Sequence, residues 1–141
     1  MNIKEYSSNS LSFIGDAVYT LEVRKHFVES RYQASRTLQS LCNKYNSARG
    51  QTRAFNQLNE ENFFTVDELE IFKRGRNHIT HIPKNGDRLS YETASGIEAI
   101  VGYLYLTDKE RLKFFFEKIF EKGDENVWDS IWKKLFLWSS R

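Results

Sequence analysis

At 141 residues, 40% of them hydrophobic and 15% aromatic, the chain is sized for one domain with a substantial core, which excludes a disordered polypeptide. Its formal net charge of +2 is too small to mark a nucleic-acid binder by itself, so the placement of the charges matters more than their sum. A lone cysteine, Cys42, excludes an intramolecular disulfide and any cysteine-based zinc site.

Apolar spacing is helical along nearly the whole chain and predicts an all-α fold. A first helix is expected over about 9 to 29, capped by Ser8 or Asn9, with Ile14, Ala17, Val18 and Leu21 as its buried stripe. A second covers about 34 to 49 and continues, bent near Gly50, through Ala54, Phe55 and Leu58. On it, Cys42 shares a face with Leu38, Leu41 and Tyr45 and reads as core packing. Thr65-Val66-Asp67-Glu68 resembles a capping box that opens a third helix carrying Leu69, Phe72 and Lys73.

The stretch from His78 to Ser90 holds the single proline, Pro83, with Asn85-Gly86, and is long for a helix connection, which favours a functional loop. A long apolar helix over about 90 to 107 follows, then another over about 108 to 121 with Phe114, Phe115, Phe116 and Phe120, stopped by Gly123. The tail, about 124 to 141, repeats a helical signal in Trp128, Ile131, Trp132 and Leu135. It is expected to dock on the body of its own subunit, with a partner surface as the alternative. Residues 1 to 141 read as one domain. No apolar run reaches the ~20 residues of a membrane helix and the N-terminus has no apolar signal core, so a cytoplasmic location is expected.

Two apolar helical segments each carry one isolated acid: Asp16 in the first helix and Glu98 in the long apolar one. At 100° per residue, Asn9, Ser12, Asp16 and Thr20 fall on one face, and Tyr91, Ser95, Glu98, Gly102 and Tyr105 on another. The small residues Gly15, Ala17, Gly96 and Ala99 beside the acids would let the two helices approach closely. Facing carboxylates repel and favour a hard cation between them, and Mg2+ suits oxygen ligands of this kind. Spacing alone leaves a second reading open, two solvated positions on amphipathic helices.

The wording of the segments goes further. Phe13-Ile14-Gly15-Asp16-Ala17-Val18-Tyr19 resembles the signature helix of the ribonuclease III family, and Glu98-Ala99-Ile100-Val101-Gly102-Tyr103-Leu104 resembles its second acidic helix. Arg74-Gly75-Arg76-Asn77 and Pro83-Lys84-Asn85 resemble further blocks of the short Mini-III branch, which has no appended double-stranded-RNA-binding domain. The resemblance implies an all-helical endonuclease domain acting as a two-fold homodimer. It also implies divalent-metal-dependent cleavage of double-stranded RNA, leaving 5′-phosphate and 3′-hydroxyl ends, and maturation of the large-subunit (23S) ribosomal RNA precursor.

On this reading Asp16 and Glu98 are the catalytic and metal-ligating residues, with Mg2+ as cofactor and Mn2+ as a substitute. Where full-length ribonuclease III enzymes carry further acids, this chain has Asn9, Ser12 and Ser95, which become candidates to orient water around the ion. No histidine is needed: His26 is expected on a solvated face, and His78 and His81 in the loop.

From Lys73 to Arg88 the chain carries Lys73, Arg74, Arg76, Lys84 and Arg88 against Asp87 alone, a concentration of positive charge within a nearly neutral protein. Lys73, Arg74, Arg76, Asn77, Lys84 and Asn85 are the expected RNA-binding residues, reading duplex shape through phosphates. Lys44, Arg49, Gln51 and Arg53 form a second polar cluster expected to be exposed. A ribosomal protein is a conceivable assistant to so small a domain. Two rival readings remain: a non-catalytic RNA-binding or assembly module on the same fold, and a helical interaction protein working through the tryptophan-rich tail.

Overall fold

The computed structural model describes residues 5–30, 35–77, 84 and 86–121, and among them it is all-helical, with six helices and no strand. The tail beyond residue 121, including the expected stop at Gly123, and His78 to Pro83 with Asn85, lie outside the described residues. The helices are α1 (Ser8–Glu29), α2 (Ser35–Asn46), α3 (Ala48–Glu60), α4 (Val66–Arg76), α5 (Arg88–Thr107) and α6 (109–121).

Local chemistry sets most of the boundaries. Ser7, not Ser8 or Asn9, caps α1, its side chain accepting from the Ser10 N–H at 3.1 Å. The expected long second helix is instead two helices, broken at Ser47 and not bent at Gly50. Ser47 turns extended and caps α3 by accepting the Gly50 N–H at 3.1 Å. Gly50 then allows close passage: a side chain there would overlap the Lys44 carbonyl, at the end of α2. Thr65 and Glu68 form the expected capping box on α4.

The centre of the fold is α5. Its residues Ile97, Ala99, Ile100, Val101 and Leu104 are all buried, because α1, α3 and α4 pack around it. The buried line of α1 differs from the expected one. It runs Leu11, Gly15, Val18, Tyr19, Val23 and Phe27, while Ala17 is exposed, Ile14 only partly buried and Leu21 62% exposed. Backbone proximity outweighs side-chain size here. A side chain at Gly15 would overlap the Glu98 carbonyl, and one at Gly102 would overlap the Leu11 carbonyl, so α1 must present its glycine edge to α5. Gly96 and Ala99, expected to face α1, face α4 instead, against Phe72 and Gly75 respectively.

Helix α6 closes the bundle with Leu112, Phe115, Phe116, Ile119 and Phe120, spaced to line one face. Phe116 meets Tyr19 edge-on at 5.5 Å, and Phe120 stacks on His26 at 3.8 Å between ring centres. His26 therefore departs from the solvated position expected of it. Cys42 is buried as expected, with Leu38, Leu41 and Tyr45 packed against the same core. Glu68, 3% exposed, is held by Arg111 of α6 through contacts of 2.8 and 2.9 Å, and Arg111 also donates to the Phe63 carbonyl at 2.7 Å. Among the described residues no helix is long and apolar enough to cross a membrane.

Candidate functional site

The glycine contact that joins α1 to α5 also brings the two isolated acids together. Gly15 lies against the backbone of Glu98, so Asp16 and Glu98 follow from one crossing point. Asp16 is exposed and Glu98 half-buried. Burial, and then the charge of Asp16, push the Glu98 carboxyl up to about 8, opposed by a hydrogen bond from Gln51. Without a counter-charge, two adjacent acids of which one is half-buried resist ionising together, and a proton or a cation must relieve them.

Two serines pin the crossing. Ser12 Oγ donates to the Ser95 carbonyl at 3.1 Å, and Ser95 Oγ donates to the Gly75 carbonyl at 3.0 Å. These bonds run from α1 to α5 to α4, and they tie the last turn of α4 to the helix that carries Glu98. That turn holds Lys73, Arg74 and Arg76, which also complement the negative end of the α4 dipole. Lys73, Arg76 and Asn77 are exposed and Arg74 is half-buried, while Lys84 is exposed in the turn before α5. Asn85 lies outside the described residues. Arg88 pairs with Glu92 at 2.9 Å, which reduces its share of the local positive charge. Asn9 is exposed in the first turn of α1, whereas Ser12 is half-buried.

One site neighbour was missed as such from sequence. Gln51, expected on an exposed polar cluster with Lys44, Arg49 and Arg53, is turned inward and only 4% exposed, while those three are exposed. Its Nε2 donates to the Asn46 carbonyl at 3.1 Å and approaches Glu98 Oε1 at 3.4 Å. The signal was present: Gln51, Ala54, Phe55 and Leu58 stand at i, i+3, i+4 and i+7, the buried stripe of α3. Gln51 Oε1, Asn46 Oδ1 and Tyr19 Oη are buried with no hydrogen-bond partner among the described residues. The Tyr19 phenol lies within electrostatic reach of Glu98, and burial above all holds its proton well beyond the usual range.

Chemically this is an all-oxygen site. Among the described residues no three His, Cys, Asp or Glu side chains gather closely enough to form a metal-binding group, so the acids available are Asp16 and Glu98. A hard cation that keeps most of its waters fits such a pair, whereas zinc, which favours nitrogen and sulfur, does not.

Comparison with known proteins identifies the family of the chain. Residues 9–109 match the family described as the ribonuclease III domain. The chain is 40% identical over 106 residues to Mini-ribonuclease 3 of Streptococcus pneumoniae, covering 74% of this chain and 83% of that one. It is 38% identical over 120 residues to Mini-ribonuclease 3 of Staphylococcus aureus, covering 84% and 90%. A crystal structure of a protein from Fusobacterium nucleatum matches with a TM-score of 0.75 at 28% identity, over 84% of this chain and 97% of that one. The chain belongs to the ribonuclease III family, within its Mini-ribonuclease III branch.

Proposed function

We propose that this chain is a Mg2+-dependent endoribonuclease that cuts double-stranded RNA, with Asp16 and Glu98 as the protein ligands of the ion and Mn2+ as a working substitute. The observation that carries this reading is the α1–α5 crossing, which sets Asp16 beside the half-buried Glu98, where burial first and the charge of Asp16 second push the Glu98 carboxyl up to about 8 and favour a cation at the pair. When bound, the ion supplies Lewis-acid stabilisation of charge on the phosphate under attack.

The chain's own residues do the rest. Asp16 and Glu98 hold the ion at the α1–α5 crossing, and Ser12 and Ser95 fix that crossing through their bonds to backbone carbonyls. Their hydroxyl oxygens, with the exposed Asn9 amide, accept hydrogen bonds from water around the site. Lys73, Arg74, Arg76, Asn77, Lys84 and Asn85 grip the phosphates of an A-form duplex, whose shape and 2′-hydroxyls are read across the minor groove. Cleavage leaves 5′-phosphate and 3′-hydroxyl ends.

The name of its relatives, Mini-ribonuclease 3, supports an RNA substrate. The precursor of large-subunit (23S) ribosomal RNA as that substrate, the cytoplasm as the location and a ribosomal protein as assistant rest on the resemblance of its sequence blocks to the Mini-III branch. A two-fold homodimer is supported by apolar side chains of α1 that are exposed among the described residues, Phe13 at 85% and Leu21 at 62%. The whole chain acts as one catalytic domain.

The experiment is cleavage of an end-labelled perfect RNA duplex with and without Mg2+, beside Asp16→Asn and Glu98→Gln. Each substitution is expected to lower the rate by more than the roughly 10–100-fold that loss of a supporting partner costs at a metal site. Equal cutting by all three proteins would overturn the assignment, and duplex binding without cutting at any metal concentration would favour a non-catalytic RNA-binding module.

A further inference from the structure

We propose that Gln51 is a positioning residue for Glu98, holding one carboxylate oxygen so that the other is presented to the cation. This rests on the reading of Asp16 and Glu98 as metal ligands. The amide is anchored at its far side. Nε2 spans from the Asn46 carbonyl at 3.1 Å to Glu98 Oε1 at 3.4 Å, which joins the α2–α3 junction to α5 across the back of the site. The second distance exceeds the 2.7–2.9 Å of a charge-assisted bond, and such contacts commonly tighten only when the working complex forms.

The register of α3 brings Gln51 to the α5 side of the helix. The Ser47 cap starts the helix, Gly50 lets its first turn pass against the Lys44 carbonyl, and Thr52 Oγ1 lies 3.3 Å from the Ser90 carbonyl of α5. Between these ties Gln51 is buried, 4% exposed, on the face of α3 turned toward α5. It is nevertheless a costly choice for a buried stripe: Oε1 is buried with no partner among the described residues, an arrangement that ordinarily destabilises by about 1–3 kcal/mol relative to a satisfied group. Leucine would fill the position without that penalty. An amide there is explained by what it offers the site, a fixed donor to Glu98.

The test is Mn2+ binding to the RNA-free full chain, followed by electron paramagnetic resonance, for the unsubstituted protein, Gln51→Leu, Asp16→Asn and Glu98→Gln. Gln51→Leu is expected to bind Mn2+ about 10–100-fold more weakly, with helical content unchanged, and its cleavage rate to recover at high Mg2+ with the KM for duplex RNA unaltered. A loss that excess Mg2+ does not repair would assign Gln51 to packing alone and overturn the proposal. If Gln51→Leu binds Mn2+ like the unsubstituted protein while Glu98→Gln does not, the role of Gln51 fails and the ligand assignment stands. If Asp16→Asn and Glu98→Gln also bind normally, the ligand assignment itself fails. Should Gln51→Leu not fold, the unsubstituted protein decides: the Gln51 side-chain amide resonance shifts on adding Mg2+, and an unmoved resonance overturns the proposal.

Discussion

A half-buried carboxyl beside a second acid must keep its proton or acquire a cation, and Glu98 is in that position. In the metal-free protein it titrates near 8, against about 4.5 in an unfolded chain, so between those values the folded state holds the extra proton. Its contribution to stability is therefore fully present below about pH 4.5 and is lost as pH rises toward 8. Urea denaturation of the metal-free chain at pH 5.5 and pH 8 should show the higher pH less favourable, and Glu98→Gln should reduce that difference. The proton competes with the ion, so Mn2+ affinity is expected to climb with pH by up to about tenfold per unit below 8 and to level off above it. Arg111 illustrates the opposite case, a buried acid with its counter-charge in place. Arg111→Met leaves Glu68 buried and unpaired and should cost about 3 kcal/mol in a denaturation experiment, because the penalty of an uncompensated charge remains after the attraction has gone.

Among the elements, the α1–α5 crossing governs both stability and chemistry. Gly15→Ala forces a methyl group into the Glu98 carbonyl, and the backbone must move, since no side chain is present there to yield. Such overpacking typically costs about 1–3 kcal/mol. A lowered melting temperature is expected, together with a fall in cleavage rate, since separating the helices also separates Asp16 from Glu98. Elements set by neighbouring residues were legible from sequence: the Thr65–Glu68 capping box, the α5 span and the phenylalanine face of α6 all appear where apolar spacing and capping place them. The buried face of α1 was not legible, because Leu21 and Ile14 are larger and more apolar than Gly15. Size favours burial only where space exists, and the close approach of two backbones leaves none. Gln51 escaped for a related reason: its polarity suggested a surface position, while its spacing with Ala54, Phe55 and Leu58 placed it inside.

For the whole molecule, the acidic pair and the basic end of α4 are held in one body by the Ser12–Ser95–Gly75 bonds. Duplex binding through that turn should weaken steeply with salt, and Lys73→Ala should flatten the slope of log affinity against log salt concentration by about 1. Cutting should be reduced in proportion to binding, leaving the rate on bound RNA unchanged. The exposed edge of α1 belongs to the same scale: light scattering at micromolar concentration should report two copies, and Phe13→Asp should shift the mass toward one.

Residue order alone settles most of the local features: the helical character of the chain, the Thr65–Glu68 cap, the family's two acidic segments in order, and the concentration of basic residues from Lys73 onward, though not the Ser7 cap of α1 or the break at Ser47. These depend on hydrogen bonds and periodicities spanning three or four residues. The assembled bundle is needed to establish that Asp16 lies near Glu98, whose carboxyl burial and Asp16 push up, that Gln51 of α3 approaches it, and that Ser12 reaches a carbonyl 83 residues away. Those outcomes come from helix surfaces settling against one another, with two glycines setting how near the backbones come, and no local pattern encodes that distance.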